Sequence, residues 1–211
     1  MPLAKTRDIY RQAREGGYGI GGFCAENLDM IQAIIGAAEA TRSPVVLMLW
    51  QEDILAVGPG YLEAAARYVA ERSTVPVGLM VDHASSLAFC LTCMVNGHTG
   101  VMIDGSHLPL AENIKLTRQV CEVAHLLGVL VEGELGTVRR TFESSGPYAE
   151  ETVLTDPQEV AEFVSQSGAD ALAISIGTES GIYEHEPTLD LPRLRRIRAA
   201  SDAYLVLHGG S

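Results

Sequence analysis

Val75-Pro76-Val77-Gly78-Leu79-Met80-Val81-Asp82-His83-Ala84-Ser85-Ser86 is the stretch from which the rest of the chain is read. Residues 75–81 form an apolar run of strand length with no solvent-facing polar residue, as expected of a strand covered on both faces of a parallel sheet. The run ends in an acidic residue followed directly by a histidine, then in the small polar residues Ser85 and Ser86. The carboxyl ends of such strands are where α/β proteins place their chemistry. On an extended chain Asp82 and His83 point to opposite sides, so one would face a site while the other reaches a cation. The competing reading is structural, since an Asp-His pair also serves as a helix N-cap beside a satisfied polar residue.

The pattern repeats outward from this stretch. After an opening helix over residues 2–14, strand-like runs fall at 18–23, 44–49, 75–81, 100–103, 129–133, 171–176 and 204–207. Helical-period segments lie between them at 26–40, 60–70, 86–96, 110–127, 157–167 and 191–200. Gly128 closes the longest as a left-handed residue, and Asp156-Pro157 opens another as an N-cap with proline at the first helical position. Strict alternation of apolar strands and amphipathic helices predicts a parallel sheet covered by helices. The expected fold is an α/β TIM (β/α)₈ barrel in a single domain over residues 1–211, with a doubly wound open sheet as runner-up. Seven strands are readable and the eighth is missing, so the C-terminal part of the barrel is expected to lie beyond His208-Gly209-Gly210-Ser211.

Composition narrows the partners. A net charge of −12, with acidic residues spread along the chain, disfavours nucleic acid and anionic membrane, both of which need a basic surface. It leaves phosphorylated small molecules open, because backbone N–H groups and one cation can hold a phosphate locally. Cys24, Cys90, Cys93 and Cys121 are too few for a disulfide framework, and the Cys90-Leu91-Thr92-Cys93 spacing falls in a helical run with no second pair to complete a zinc site. Buried structural thiols are expected there. The N-terminus lacks the apolar core of a signal peptide, and no run is long enough to span a membrane, so a cytoplasmic setting is expected.

The polar residues collect where strands end. Asp82-His83 is followed by Asp104-Gly105-Ser106-His107, Glu132-Gly133-Glu134, Gly177-Thr178-Glu179-Ser180-Gly181 and His208-Gly209-Gly210-Ser211. Capping explains one Asp or Ser at each place, but not the histidines and the paired glutamates. His83 and His208 could give imidazole to a divalent metal, and Glu134 or Asp104 an oxygen. The glycines at 177, 181, 209 and 210 suit either a phosphate cradle or simple turns.

The segments 101–110 with Glu112-Asn113, 131–136 and 205–211 resemble the class II, metal-dependent ketose-bisphosphate aldolases, of the fructose- and tagatose-bisphosphate type. The similarity extends over the chain, from Glu26-Asn27-Leu28 to Thr155-Asp156-Pro157. It implies reversible retro-aldol cleavage of a phosphorylated ketose to dihydroxyacetone phosphate and an aldehyde. Asp82 then matches the catalytic aspartate, His83 and His208 two zinc ligands, Glu134 a glutamate near the metal, and Asp104 an acidic neighbour able to hold a second monovalent or divalent cation. Gly181, Gly209 and Ser211 match positions that bind substrate phosphate. Zn2+ is the cofactor implied, a sugar phosphate the small-molecule partner, and a homo-oligomer, dimer or tetramer, the assembly.

The chain departs from that pattern at several positions. Ser180 stands where a third zinc histidine is expected, and a neutral hydroxyl is a poor zinc ligand; Glu179, His185 and Glu134 are the candidates to replace it. Glu184 stands where many members carry a phosphate-binding lysine, Trp50 ends a strand that is otherwise small and polar there, and Arg139-Arg140 replace glycines in the loop after strand five. These differences favour the alternatives to a conventional aldolase: a divergent member with an impaired or absent zinc site acting on another substrate, or a non-catalytic subunit. Retention of Asp82 argues against the last.

Overall fold

The computed structural model describes residues 3–138, 152–181, 183 and 186–210. Helix α1 (Thr6–Gly16) precedes β1 (Gly21–Cys24), α2 (Leu28–Thr41), β2 (Val45–Trp50), α3 (Gln51–Val57), α4 (Tyr61–Ala70), β3 (Val77–Ala84), α5 (Leu87–Val95) and β4 (Gly100–Ile103). Then come α6 (Leu110–Ala124) with a 3-10 turn at His125–Leu127, β5 (Leu130–Leu135), α7 (Pro157–Ser167), β6 (Ala171–Ile174), α8 (Leu191–Ala200) and β7 (Tyr204–Leu207). The strands follow one another in the sheet in chain order, and the pairs β1–β2, β2–β3, β3–β4, β5–β6 and β6–β7 are parallel. This order, with helices between strands, is that of the TIM-barrel type and not of a doubly wound sheet, whose order reverses at a switch point.

The chain divides into two compact units, Met1–Ile103 with Glu122–Val131, and Asp104–Cys121 with Glu132–Ser211. In the first, β2 and β3 are buried for most of their length because Leu47, Leu49, Leu79 and Val81 have no exposed surface. Ile31 and Ile35, one helical turn apart on α2, are buried as well; each such aliphatic side chain contributes ~1.5–3 kcal/mol. Helix α1 closes on β3, with the Ala4 amide donating to the Val77 carbonyl at 2.9 Å and Thr6 Oγ1 lying 2.8 Å from Thr99 Oγ1. Asn27 and Ser86 start α2 and α5 by accepting from the amides of Met30 and Phe89.

The core of the second unit joins Val160 and Phe163 of α7 to Leu172 and Ile174 of β6 and Ile197 of α8. Gly133 allows the close approach of α7, since a Cβ there would lie 2.8 Å from Phe163 Cζ. The buried Thr155 ties two strand ends together: its hydroxyl donates to the Leu135 carbonyl and accepts from the Ser175 amide at 2.8 Å.

Two elements differ from the sequence reading. Strand β3 runs on to Ala84, through Asp82 and His83, and a short helix, α3, follows β2 directly. Residue 50 caps α3 without a side-chain hydrogen bond, so no polar N-cap announces it.

Candidate active site

Asp82 and His83 lie where the β3–β4 ladder changes register. Val81 pairs with Val101 and Ala84 with Ile103, so the two residues of β3 stand opposite Met102 alone. That is the arithmetic of a β-bulge. His83 takes up the extra length with a left-handed backbone, φ 49°, a conformation in which histidine is enriched among non-glycine residues yet still uncommon. The regular in–out alternation is therefore broken at this pair. His83 Nε2 lies 3.9 Å from Asp82 Oδ1, and each side chain is 13% exposed.

Three neighbours in the same unit hold the pair. The Cys24 thiol, at the end of β1, donates to Asp82 Oδ2 at 3.4 Å. Trp50, at the end of β2, is the register partner of Asp82. Gln51 Oε1 accepts from both the Ser85 amide, 2.8 Å, and the Ser85 hydroxyl, 3.1 Å, pinning the chain just beyond the bulge.

In the second unit, Asp104 and Glu134 each offer a carboxylate oxygen, and these lie within 4.8 Å of one another. Asp104 accepts from the amide and hydroxyl of Ser106 in a tight turn. The buried Asn113 of α6 ties to the backbone of Glu134 and packs closely on Gly105, the residue after Asp104. Its Nδ2 donates to the Glu134 carbonyl at 2.8 Å, and a Cβ on Gly105 would lie only 2.5 Å from its Oδ1. Glu132 and Glu134, two apart on β5, share a face, and their register partners on β6 are the small residues Ala171 and Ala173. Glu132 is fully buried and its Oε1 lies 2.8 Å from His208 Nε2. Among the described residues its Oε2 has no hydrogen-bond partner. A buried carboxylate gripping one nitrogen of an imidazole fixes the ring and its tautomer, as it does for metal-ligating histidines. The role of Glu132 was not assigned from sequence, although its i, i+2 spacing to Glu134 is a signal for it.

Gly177, Gly181 and Gly209 all have positive φ, at 114°, 107° and 70°. Glycine is required at 209 and 177 by close packing, because a Cβ would lie 2.3 Å from the carbonyl oxygens of Glu179 and Thr188 respectively. Tyr183 links the two glycine turns, its hydroxyl accepting from the Glu179 amide and donating to the Gly209 carbonyl. Ser180 lies among the described residues, whereas Ser211, Glu184, His185 and Arg139-Arg140 lie outside them.

Cys90 and Cys93 are buried and free, and burial pushes the Cys90 thiol up to about 12 and the Cys93 thiol up as well, as expected of structural cysteines. No helix among the described residues is long and apolar enough to cross a membrane.

Carboxylates and imidazoles at the strand ends of a TIM-type α/β fold are groups that can exchange protons and hold cations. A family model described as "Fructose-bisphosphate aldolase class-II" matches residues 4–211. The fructose-bisphosphate aldolase of Thermus caldophilus is 41% identical over 211 residues, 99% of this chain and 69% of that protein. That of Geobacillus stearothermophilus is 37% identical over 226 residues, 100% of this chain and 74% of its own length. The crystal structure of the YdjI aldolase from Escherichia coli K12 superposes with a TM-score of 0.86 at 32% identity, covering 99% of this chain and 74% of that one. The chain belongs to the class-II fructose-bisphosphate aldolase family, a family of lyases.

Proposed function

We propose that the chain is a metal-dependent aldolase that cleaves a phosphorylated ketose, of the fructose- or tagatose-bisphosphate kind, to dihydroxyacetone phosphate and an aldehyde. The observation that carries the reading is the bulge that sets Asp82 beside His83 at the end of β3. In the cleavage direction Asp82 takes the proton of the hydroxyl on the carbon that becomes the aldehyde. The adjoining carbon–carbon bond breaks, its electron pair passes to the ketose fragment as an enediolate, and protonation of that carbon releases dihydroxyacetone phosphate.

The donor set fits a divalent cation of the zinc type, imidazole and carboxylate being its ordinary ligands. By the family resemblance, His83 and His208 would hold it, with Glu134 as an oxygen donor and Asp104 for a second cation. The Glu132–His208 contact supports this, since a buried carboxylate that grips one ring nitrogen orients the imidazole, as it does for metal-ligating histidines. Such a cation supplies Lewis acidity, polarising the ketose carbonyl and stabilising the enediolate. The resemblance assigns Gly181, Gly209 and Ser211 to the substrate phosphate and makes the assembly a dimer or tetramer.

Ser180 favours a second reading, a divergent member with a weakened cation site and another substrate. Elemental analysis of the purified protein beside coupled assays with fructose and tagatose bisphosphates separates the two. Bound zinc with turnover supports the first reading. Metal-free, inactive protein in which Ser180→His restores zinc binding would sink it.

A further inference from the structure

In the first unit, β1 and β2 end in a thiol and an indole, and β3 carries a carboxylate two residues before its end. Cys24 pairs in register with Met48, Met48 with Met80, and Trp50 with Asp82. Register partners on parallel strands, and residues two apart on one strand, project from the same face. Cys24, Trp50 and Asp82 therefore share a face. Strand β2 lies between β1 and β3, and neighbouring strands are about 4.8 Å apart, yet the Cys24 thiol reaches Asp82 Oδ2 at 3.4 Å. The two side chains can meet only by leaning over β2, whose last residue on that face is Trp50. Trp50 is only half-buried, so a ligand can reach this corner. Trp50 is also held in place: the next residue, Gln51, is clamped to Ser85.

In an aldol cleavage the hydroxyl that loses its proton to Asp82 sits on the carbon that becomes the aldehyde. The indole beside Asp82 therefore meets the aldehyde half of the substrate. We infer that Trp50 is the specificity-determining residue for that half, and that it selects an aldehyde with an apolar chain over a phosphorylated one such as glyceraldehyde 3-phosphate. Each methylene removed from water against the indole strengthens binding about fourfold, whereas a phosphate set against the same ring loses hydration without gaining a cation. The inference rests on the second reading above, an aldolase acting on another substrate, since a fructose or tagatose bisphosphate would release glyceraldehyde 3-phosphate, and it uses which half of the substrate lies at Asp82.

The test uses the full zinc-loaded chain in the condensation direction, with dihydroxyacetone phosphate and either butanal or glyceraldehyde 3-phosphate. The ratio of kcat/KM for butanal to that for glyceraldehyde 3-phosphate should exceed one in the parent, stay within about threefold in Trp50→Phe, and fall by about tenfold or more in Trp50→Ser, chiefly through the KM for butanal. A parent that prefers glyceraldehyde 3-phosphate, or an unchanged ratio in Trp50→Ser, overturns the inference. The chain has one tryptophan, so its emission reads binding without turnover. A saturable response to butanal at lower concentration than to glyceraldehyde 3-phosphate supports the inference, and no saturable response to butanal overturns it. Failure to condense any aldehyde counts against the aldolase reading instead, and the emission titration then judges Trp50 alone.

Discussion

Asp82 is held by contacts that leave its carboxylate in place without enclosing it: a thiol on one oxygen, an imidazole 3.9 Å from the other, and 13% of its side chain exposed. As the proposed base, it should be replaceable at little structural cost. Asp82→Ala is expected to lower aldol turnover by ~10²–10⁴-fold, while thermal denaturation stays near the parent value; unchanged turnover would mean the base lies elsewhere. Glu132 acts one atom further away, through His208. Glu132→Gln should weaken zinc binding by ~10–100-fold in a competition titration against a chelating dye, and equal affinity would remove Glu132 from the site. Much at this scale was legible: Asp82, His83, Asp104, Glu134 and His208 stand out because charged or titratable groups interrupt apolar strands. Cys24, Gln51 and Asn113 do not stand out. Their importance comes from partners 58, 34 and 21 residues away, which no local pattern records.

At the scale of elements, α3 was missed and β3 was cut short for related reasons. A polar pair after an apolar run looks like the start of a loop, and a seven-residue helix with a tryptophan as N-cap has no start signal. By contrast β4, α8 and β7 fall within the bounds their patterns predict, because Gly, Pro or Asp punctuates them. The joint between α3 and β3 is where the missing information matters: Gln51, the first residue of α3, accepts two hydrogen bonds from Ser85. Its loss should free the end of the bulge. Gln51→Leu is expected to lower kcat by about tenfold to a hundredfold. Gln51→Glu keeps an acceptor facing the Ser85 amide and should retain about fivefold more activity than the leucine variant. Both are compared at equal circular dichroism; equal kcat in the two variants would show that the clamp does not position Asp82.

At the scale of the molecule, stability should depend on an imidazole far from any proposed chemistry. His98 is buried, and desolvation, against a hydrogen bond to the Cys93 carbonyl, lowers its pKa from 6.5 to about 4. Only an N–H can donate to that carbonyl, so Nδ1 carries the proton, and Nε2 is buried without a hydrogen-bond partner among the described residues. The unfolded chain takes up a proton near pH 6.5 while the folded chain stays neutral. The stability contributed by neutral His98 is therefore complete above pH 6.5, and is lost as pH falls through the window down to about 4. The loss is on the order of 3 kcal/mol. Urea unfolding at pH 7.5 and pH 4.5 should show a smaller difference for His98→Gln than for the parent, and an equal difference would place the acid sensitivity in other groups.

The bulge in β3 also has a meaning in terms of chain length. Pairing with β4 needs one residue between Val81 and Ala84, and the chain supplies two. Deleting either Asp82 or His83 would give a more regular ladder and relieve a left-handed backbone, yet it would remove half of the acid–imidazole pair. The reactive corner is thus an insertion that the sheet carries without needing it, and the pressure of sheet regularity runs against the chemistry at that one position.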